Sequence, residues 1–198
     1  MKRIIIATLL VLSIAGFALV TSTAKSTASN PEPYPLHNAA IHFPERMDSI
    51  VSSGVSPDGP NDARMTPLQS AVTHRAQLGV AKLLSLGADP NIGNSDSHSP
   101  LAQAAMWGDV QAVRLLISFG ADVNAEYQTR PALHHAIIHD RSEIVDLLLN
   151  QPSINLDQQS TGTGYTALHV SVQHDRVTFI ELLLARNADT KIRDHASN

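Results

Sequence analysis

One phrase recurs five times along this chain of 198 residues, and that recurrence limits the possible folds more than any other feature. The copies begin at Pro35-Leu36-His37, Thr66-Pro67-Leu68, Ser99-Pro100-Leu101, Ala132-Leu133-His134 and Thr166-Ala167-Leu168. Their anchoring leucines, Leu36, Leu68, Leu101, Leu133 and Leu168, are 32, 33, 32 and 35 residues apart. A second phrase keeps the same beat. It reads Gly87-Ala88-Asp89-Pro90-Asn91 and Gly120-Ala121-Asp122-Val123-Asn124, with weaker copies at Gly54-Val55-Ser56-Pro57 and Asn187-Ala188-Asp189-Thr190. A period near 33 that restarts at such an element marks stacked helix pairs joined by turns.

Elementary helix chemistry predicts the same unit. Thr66 and Ser99 are placed to cap a helix, and Pro67 and Pro100 follow at the first helical position, where the missing N–H costs nothing. The short inner helix carries small residues, Ala104 and Ala105 after Leu101, which let a neighbour pack closely. After a break near Gly108-Asp109, an outer helix presents Val113, Leu116 and Ile117 at helical spacing. The stripe returns as Val80, Leu83 and Leu84, as Ile144, Leu147 and Leu148, and as Ile180, Leu183 and Leu184. Gly120 is placed to end its helix. A unit this short cannot bury its own apolar face, so three or more must stack.

From Pro35 to about Arg193 the chain resembles the ankyrin repeat family. The expectation is an all-α ankyrin-repeat solenoid of stacked helix-turn-helix units with short hairpin-like finger loops. Its repeats fall at about 35–65, 66–98, 99–130, 131–164 and 165–194, with a tail at 195–198. Three departures stand out. Phe43-Pro44 replaces the usual glycine in the first repeat, and the fourth has Gln151-Pro152-Ser153-Ile154-Asn155 in place of Gly-Ala-Asp. The finger from Gln158 to Gly164 is long, since Leu148 to Leu168 is 20 residues against 17 from Leu84 to Leu101. Loop drift explains it cheaply; a lengthened contact finger is the functional reading. The ragged end repeats are expected to cap a monomer.

Residues 1–24 read as a secretory leader. Lys2-Arg3 precedes the apolar run from Ile4 to Val20, and small residues lead to Ala24, a charged n-region, an h-region and a cleavage site. An uncleaved anchor is the alternative, but the run sits at the short limit of about 17–25 residues for a span. Residues 25–34, rich in Ser, Thr, Asn and Pro, form a linker. A leader on a cytosol-like fold suggests a bacterial periplasmic or secreted protein, with no membrane attachment once it is cleaved.

Composition excludes more than it assigns. The absence of cysteine removes disulfides, thiolate metal sites and a cysteine nucleophile. Net charge is −4, and loss of Lys2 and Arg3 with the leader makes it −6; with the bases scattered, a nucleic-acid surface is not expected. No G-x-S-x-G elbow, phosphate-cradling glycine loop or H-E-x-x-H is present. No enzyme activity and no cofactor is expected.

The resemblance places function on the concave face, built from finger tips and inner-helix ends. The sixth position after each anchoring leucine holds His42, His74, Trp107, His139 and His174, one column of four histidines and the only tryptophan. Neighbouring inner helices pack about 8–10 Å apart, too far for adjacent column histidines to share an ion with bonds of about 2.0–2.1 Å. No metal site is expected. The histidines are read as meeting the helix C-terminal carbonyls, or as a partner surface sensitive near neutral pH. Trp107 beside Met106 is read as a partner contact, being the kind of amphipathic anchor enriched at hot spots. Ile138 adjoins His139 in the same row. On the fingers, Asp96, His98, Tyr127, Gln128, Gln159 and Tyr165 are candidate contacts, with Glu126 and Arg130 on the rim. His37, His134 and His169 take the motif's histidine position, where the resemblance implies that the imidazole ties neighbouring turns.

Function then reads as a non-catalytic module that docks a protein partner, most concretely an inhibitor or immunity protein. The alternative is a scaffold or accessory factor for an envelope enzyme, such as a peroxide-detoxifying one. A histidine-mediated ligand or metal role is the weaker third reading.

Overall fold

The computed structural model describes residues 33–93 and 98–196. The expected leader, nearly all of the linker and Asp96 lie outside the described residues. Residues from Tyr34 onward belong to one compact unit.

Ten α-helices follow one another as five pairs among the described residues. They are α1 (Pro35–His42) with α2 (Met47–Ser52), α3 (Pro67–Thr73) with α4 (Gln77–Ser85), α5 (Pro100–Trp107) with α6 (Val110–Ser118), α7 (Ala132–Ile138) with α8 (Ser142–Leu149), and α9 (Ala167–Gln173) with α10 (Val177–Ala185). A 3-10 turn, Pro44–Arg46, joins the first pair, and a two-stranded antiparallel hairpin, β1 (Glu126–Tyr127) and β2 (Arg130–Pro131), lies between the third and fourth. Each inner helix packs on the next: α1 on α3, α3 on α5, α5 on α7, and α7 on α9. The result is an all-α solenoid. No described helix is long and apolar enough to cross a membrane.

The helices start where the chemistry requires. Thr66 Oγ1 accepts the Gln69 N–H at 3.1 Å and Ser99 Oγ accepts the Ala102 N–H at 3.3 Å, with Pro67 and Pro100 following. Asp109 caps α6 through the Ala112 N–H at 3.1 Å. Each such cap is worth about 1 kcal/mol. Inside, Leu36, Leu68, Leu101 and Leu133 are buried beside Ala71, Ala104, Ala105 and Ala136, while Leu83, Leu116, Leu148 and Leu183 fill the layer between inner and outer helices. Truncating one of these leucines to alanine costs roughly 2–5 kcal/mol. Gly79 marks the closest approach: a Cβ there would lie 1.8 Å from the Ala40 carbonyl oxygen, so α4 meets the end of α1 where no side chain fits.

The second phrase builds a ladder along the turns. Asp58 Oδ1 accepts the Asp89 N–H (2.9 Å), Asn91 Oδ1 the Asp122 N–H (2.7 Å), Asn124 Oδ1 the Asn155 N–H (2.8 Å) and Asp157 Oδ1 the Asp189 N–H (2.8 Å). Asn155 occupies the rung held by Asp122 one turn earlier, so the fourth unit keeps the geometry without the Gly-Ala-Asp phrase. The first pair departs more. Its chain leaves α1 through Phe43 at φ −140°, whereas the later pairs turn through positive φ at Arg75, Gly108, Asp140 and Asp175.

Candidate functional site

The turn after each inner helix decides what the concave edge presents. His74, His139 and His174 are the C-cap residues of α3, α7 and α9, and His42 and Trp107 are the last residues of α1 and α5. The column is therefore real in space, and its side chains differ in what they do. His74 Nδ1 lies 2.9 Å from the Ser70 carbonyl oxygen and bonds the last turn of its own helix. His139 is exposed, and its ring lies parallel to that of buried His135 with centroids 6.4 Å apart. Partial withdrawal of the ring from solvent lowers the His139 pKa, and the positive charges of Arg141, His174 and Arg130 lower it further.

Trp107 and Met106, both half-buried, sit in an open cleft with Thr73, Arg75, His139 and Arg141, so three consecutive helix pairs contribute to it. Gly108 shapes the wall. It turns the chain at φ 74°, and a Cβ there would lie 2.7 Å from Arg141 Nε, so the guanidinium packs over Gly108 only because no side chain intervenes. The lining holds two guanidinium groups and no carboxylate, on a chain of net charge −4. Asp140, next to Arg141 in sequence, is committed to Arg176 at 3.2 Å. Thr73, the only hydroxyl of the lining, donates to the Gln69 carbonyl (2.8 Å) and accepts from Gln103 (3.2 Å), so it is not activated by a base. The cleft has an apolar aromatic floor and a cationic wall. Among the described residues no group of three His, Cys, Asp or Glu is placed to hold a metal ion.

A family model described as ankyrin repeats (3 copies) matches residues 75–160 and 101–194. The chain belongs to the ankyrin repeat family. No curated protein matches it. Ankyrin repeats are generally protein–protein interaction modules and typically not catalysts, and a cleft of this kind, shallow and spread over several repeats, suits that use.

The finger side of this ankyrin stack is built differently. Tyr127, expected as an exposed contact, is buried: its ring stands edge-on to His98 at 5.2 Å and its carbonyl accepts from His135 Nε2 at 2.8 Å. The hairpin turns the ring inward, so Tyr127 serves the core rather than a partner. His98 is half-buried by the same contact, and Ile138 is half-buried against the core. Gln128 is exposed at the hairpin tip, where Gln128 and Thr129 take φ of 50° and 69°. Gln159 is exposed, but its amide donates to the carbonyls of Gly164 (2.6 Å) and Arg193 (2.8 Å). The Tyr165 carbonyl accepts from His134, and its ring stacks on His169 at 5.7 Å, far along the stack from the Trp107 cleft lining.

The long finger is packed rather than outstretched. Thr161 donates its N–H to the Thr129 carbonyl (3.1 Å) and its hydroxyl to Glu126 (2.8 Å), and Ser160 is buried beneath. Of the motif histidines, His37 and His134 reach the next unit, through the carbonyls of Met65 (2.8 Å) and Tyr165 (2.9 Å). Burial pushes the His134 pKa down to about 4. His169 instead closes a capping box with Thr166 on its own helix. Of the cleft lining, Trp107, Met106 and His139 are among the residues the sequence singles out, and Arg75 and Arg141 are not. The available signal was position: both arginines follow column residues by one or two places, at the turn that aims side chains into the cleft.

Proposed function

We propose that this ankyrin protein is exported to the periplasm by residues 1–24 and there docks a protein partner over the concave cleft around Trp107, without catalysing a reaction. The observation that carries the reading is the cleft itself. Trp107 and Met106 offer an amphipathic apolar floor, of the residue types enriched at interface hot spots. Arg75 and Arg141 stand over it with no acid in the lining. A partner fitting this chemistry presents an apolar side chain flanked by carboxylates, and guanidinium groups are the cations best shaped to grip a carboxylate in two places. Capping a toxin or enzyme in the same compartment, as an inhibitor or immunity protein, is the use that best suits a small cysteine-free binder with a leader.

The test is affinity capture from periplasmic extract of the native host with the wild type and Trp107→Ala, matched for helicity and thermal midpoint. A protein recovered by the wild type and lost with the variant supports the cleft, and assay of that protein's activity with and without the ankyrin chain separates inhibitor from accessory factor. Equal recovery by both places the contact elsewhere. Fractionation completes the test: the chain should be found in the periplasm with its first 24 residues gone, and recovery of uncut chain from the cytoplasm would overturn the export reading.

A further inference from the structure

Four histidines stand in the column at the inner-helix ends, and the surroundings of one set it apart. His74 bonds its own helix through Nδ1, and His42 lies edge-on to Phe43 at 6.1 Å; neither they nor His174 line the Trp107 cleft. His139 does. Its ring is parallel to that of His135, which the Tyr127 carbonyl fixes at 2.8 Å. Among the described residues no group hydrogen-bonds either ring nitrogen of His139, so the imidazole lines the cleft with its bonding capacity unspent. The groups that set the charge around it are all basic: His135 on its own helix, Arg130 on β2, Arg141 at the start of α8 and His174 at the end of α9. Trp107, from α5, adds no charge. The acids of the neighbouring elements are committed elsewhere. Asp140 pairs with Arg176 at 3.2 Å and Glu143 with Arg114 at 2.9 Å, while Asp109 caps α6 and accepts from Gln77 at 3.4 Å. Asp175 lines a separate pocket with Arg176. Among the described residues Arg75 and Arg141 form no ion pair.

With the cleft as the docking site just proposed, on which this rests, we infer that His139 is its proton-dependent contact: when a carboxylate of a protein partner enters beside Arg75 and Arg141, His139 takes a proton from solvent and binds it as the imidazolium. An acidic partner and a proton are then taken up together. In the free chain, partial withdrawal from solvent and the charges of Arg141, His174 and Arg130 hold the His139 pKa below its ordinary value of 6.5. A carboxylate in the cleft supplies the opposite charge that the surroundings lack, and it favours the charged ring. The bound-state midpoint therefore lies above the free-state one. Affinity for an acidic segment rises as pH falls through that window, and reciprocally binding draws in a proton. Of the four column histidines, only this one joins a cleft position to free ring nitrogens.

The test uses the full chain and a blocked peptide in which a leucine is flanked on each side by glutamates. The histidine rings are titrated by NMR between about pH 5.5 and 8, above the glutamate range, with helicity followed across the window. The peptide should raise the His139 midpoint by about half a pH unit and bind about threefold more tightly at the acid end than at the alkaline end. A glutamine-flanked peptide should leave the midpoint in place. His139→Gln, a change at an exposed side chain, should bind the glutamate peptide with one affinity across the window. Trp107→Ala should lose binding at both ends. A peptide that needs Trp107 yet leaves the His139 midpoint unmoved overturns this inference and leaves the cleft standing. Binding that survives Trp107→Ala unweakened overturns the cleft and this inference with it, as does the absence of binding to the glutamate peptide.

Discussion

The two edges of the solenoid, the inner-helix ends and the fingers, spend their polar groups in opposite ways. On the finger edge many polar side chains are already engaged: Gln159 holds Gly164 and Arg193, Thr161 holds Glu126, and the Asp58, Asn91, Asn124 and Asp157 rungs hold the following turns. On the inner-helix edge, Arg75, Trp107, His139 and Arg141 line an open cleft. Polar groups consumed within the fold confer stability, and those left facing a concavity are available to a partner. The finger edge is thus largely scaffold, and the inner-helix edge carries the candidate site.

Acid should strike the scaffold first and hardest. Burial puts the folded-state pKa of His134 at about 4, below its ordinary value of 6.5, so the unfolded chain takes up the proton first. The stability held by neutral His134 is complete above pH 6.5 and is lost as pH falls from 6.5 towards 4, a loss on the order of 3 kcal/mol. Burial lowers the His37 and His135 pKa values as well, in the same sense. A thermal midpoint that falls steeply over this window in the wild type, and less steeply in His134→Gln, is the expected result; parallel curves would remove His134 from the account.

The next effect belongs to the ladder. Asn124 accepts from Asn155 (2.8 Å) and donates to the Ser153 carbonyl (2.8 Å). Asn124→Ala should cost about 1–2 kcal/mol in urea unfolding, since both partners lose a made bond. Smaller and opposite in sign is Thr129→Gly. A β-branched residue at φ 69° in a two-residue hairpin turn is strained, and such turns favour glycine. Relief should gain about 0.5–1 kcal/mol net of the glycine's greater unfolded-state freedom, and a loss would mean that the Thr129 contact with Gly162 outweighs the strain. Smallest on stability is the cleft. Arg141→Glu reverses an exposed charge and should change unfolding by less than about 0.5 kcal/mol, while weakening capture of an acidic partner; a large loss of stability would show that the cleft edge is scaffold too.

The frame was legible because it is written in local chemistry. Thr66 and Ser99 cap, Pro67 and Pro100 start helices, and the anchoring leucines recur at a fixed period, all within reach of single-residue rules. The candidate site was half legible. Trp107 and His139 announce themselves by type, but Arg75 and Arg141 occupy turn positions whose aim depends on the left-handed residues Arg75, Gly108 and Asp140. Tyr127 misled because a finger position implies exposure, and only the hairpin geometry turns its ring onto His98. The hairpin turn at Gln128-Thr129 carries no Asn-Gly signal at all.

The most direct test compares the two edges on one partner. Once a captured protein is in hand, its affinity is measured for the wild type, for Trp107→Ala in the cleft and for Gln128→Ala at the finger tip. The account predicts a loss of about 30-fold or more for Trp107→Ala, as for an interface hot spot of 2 kcal/mol, and less than about threefold for Gln128→Ala. A large loss at Gln128 with Trp107→Ala binding as tightly as the wild type would contradict it and move the site to the fingers.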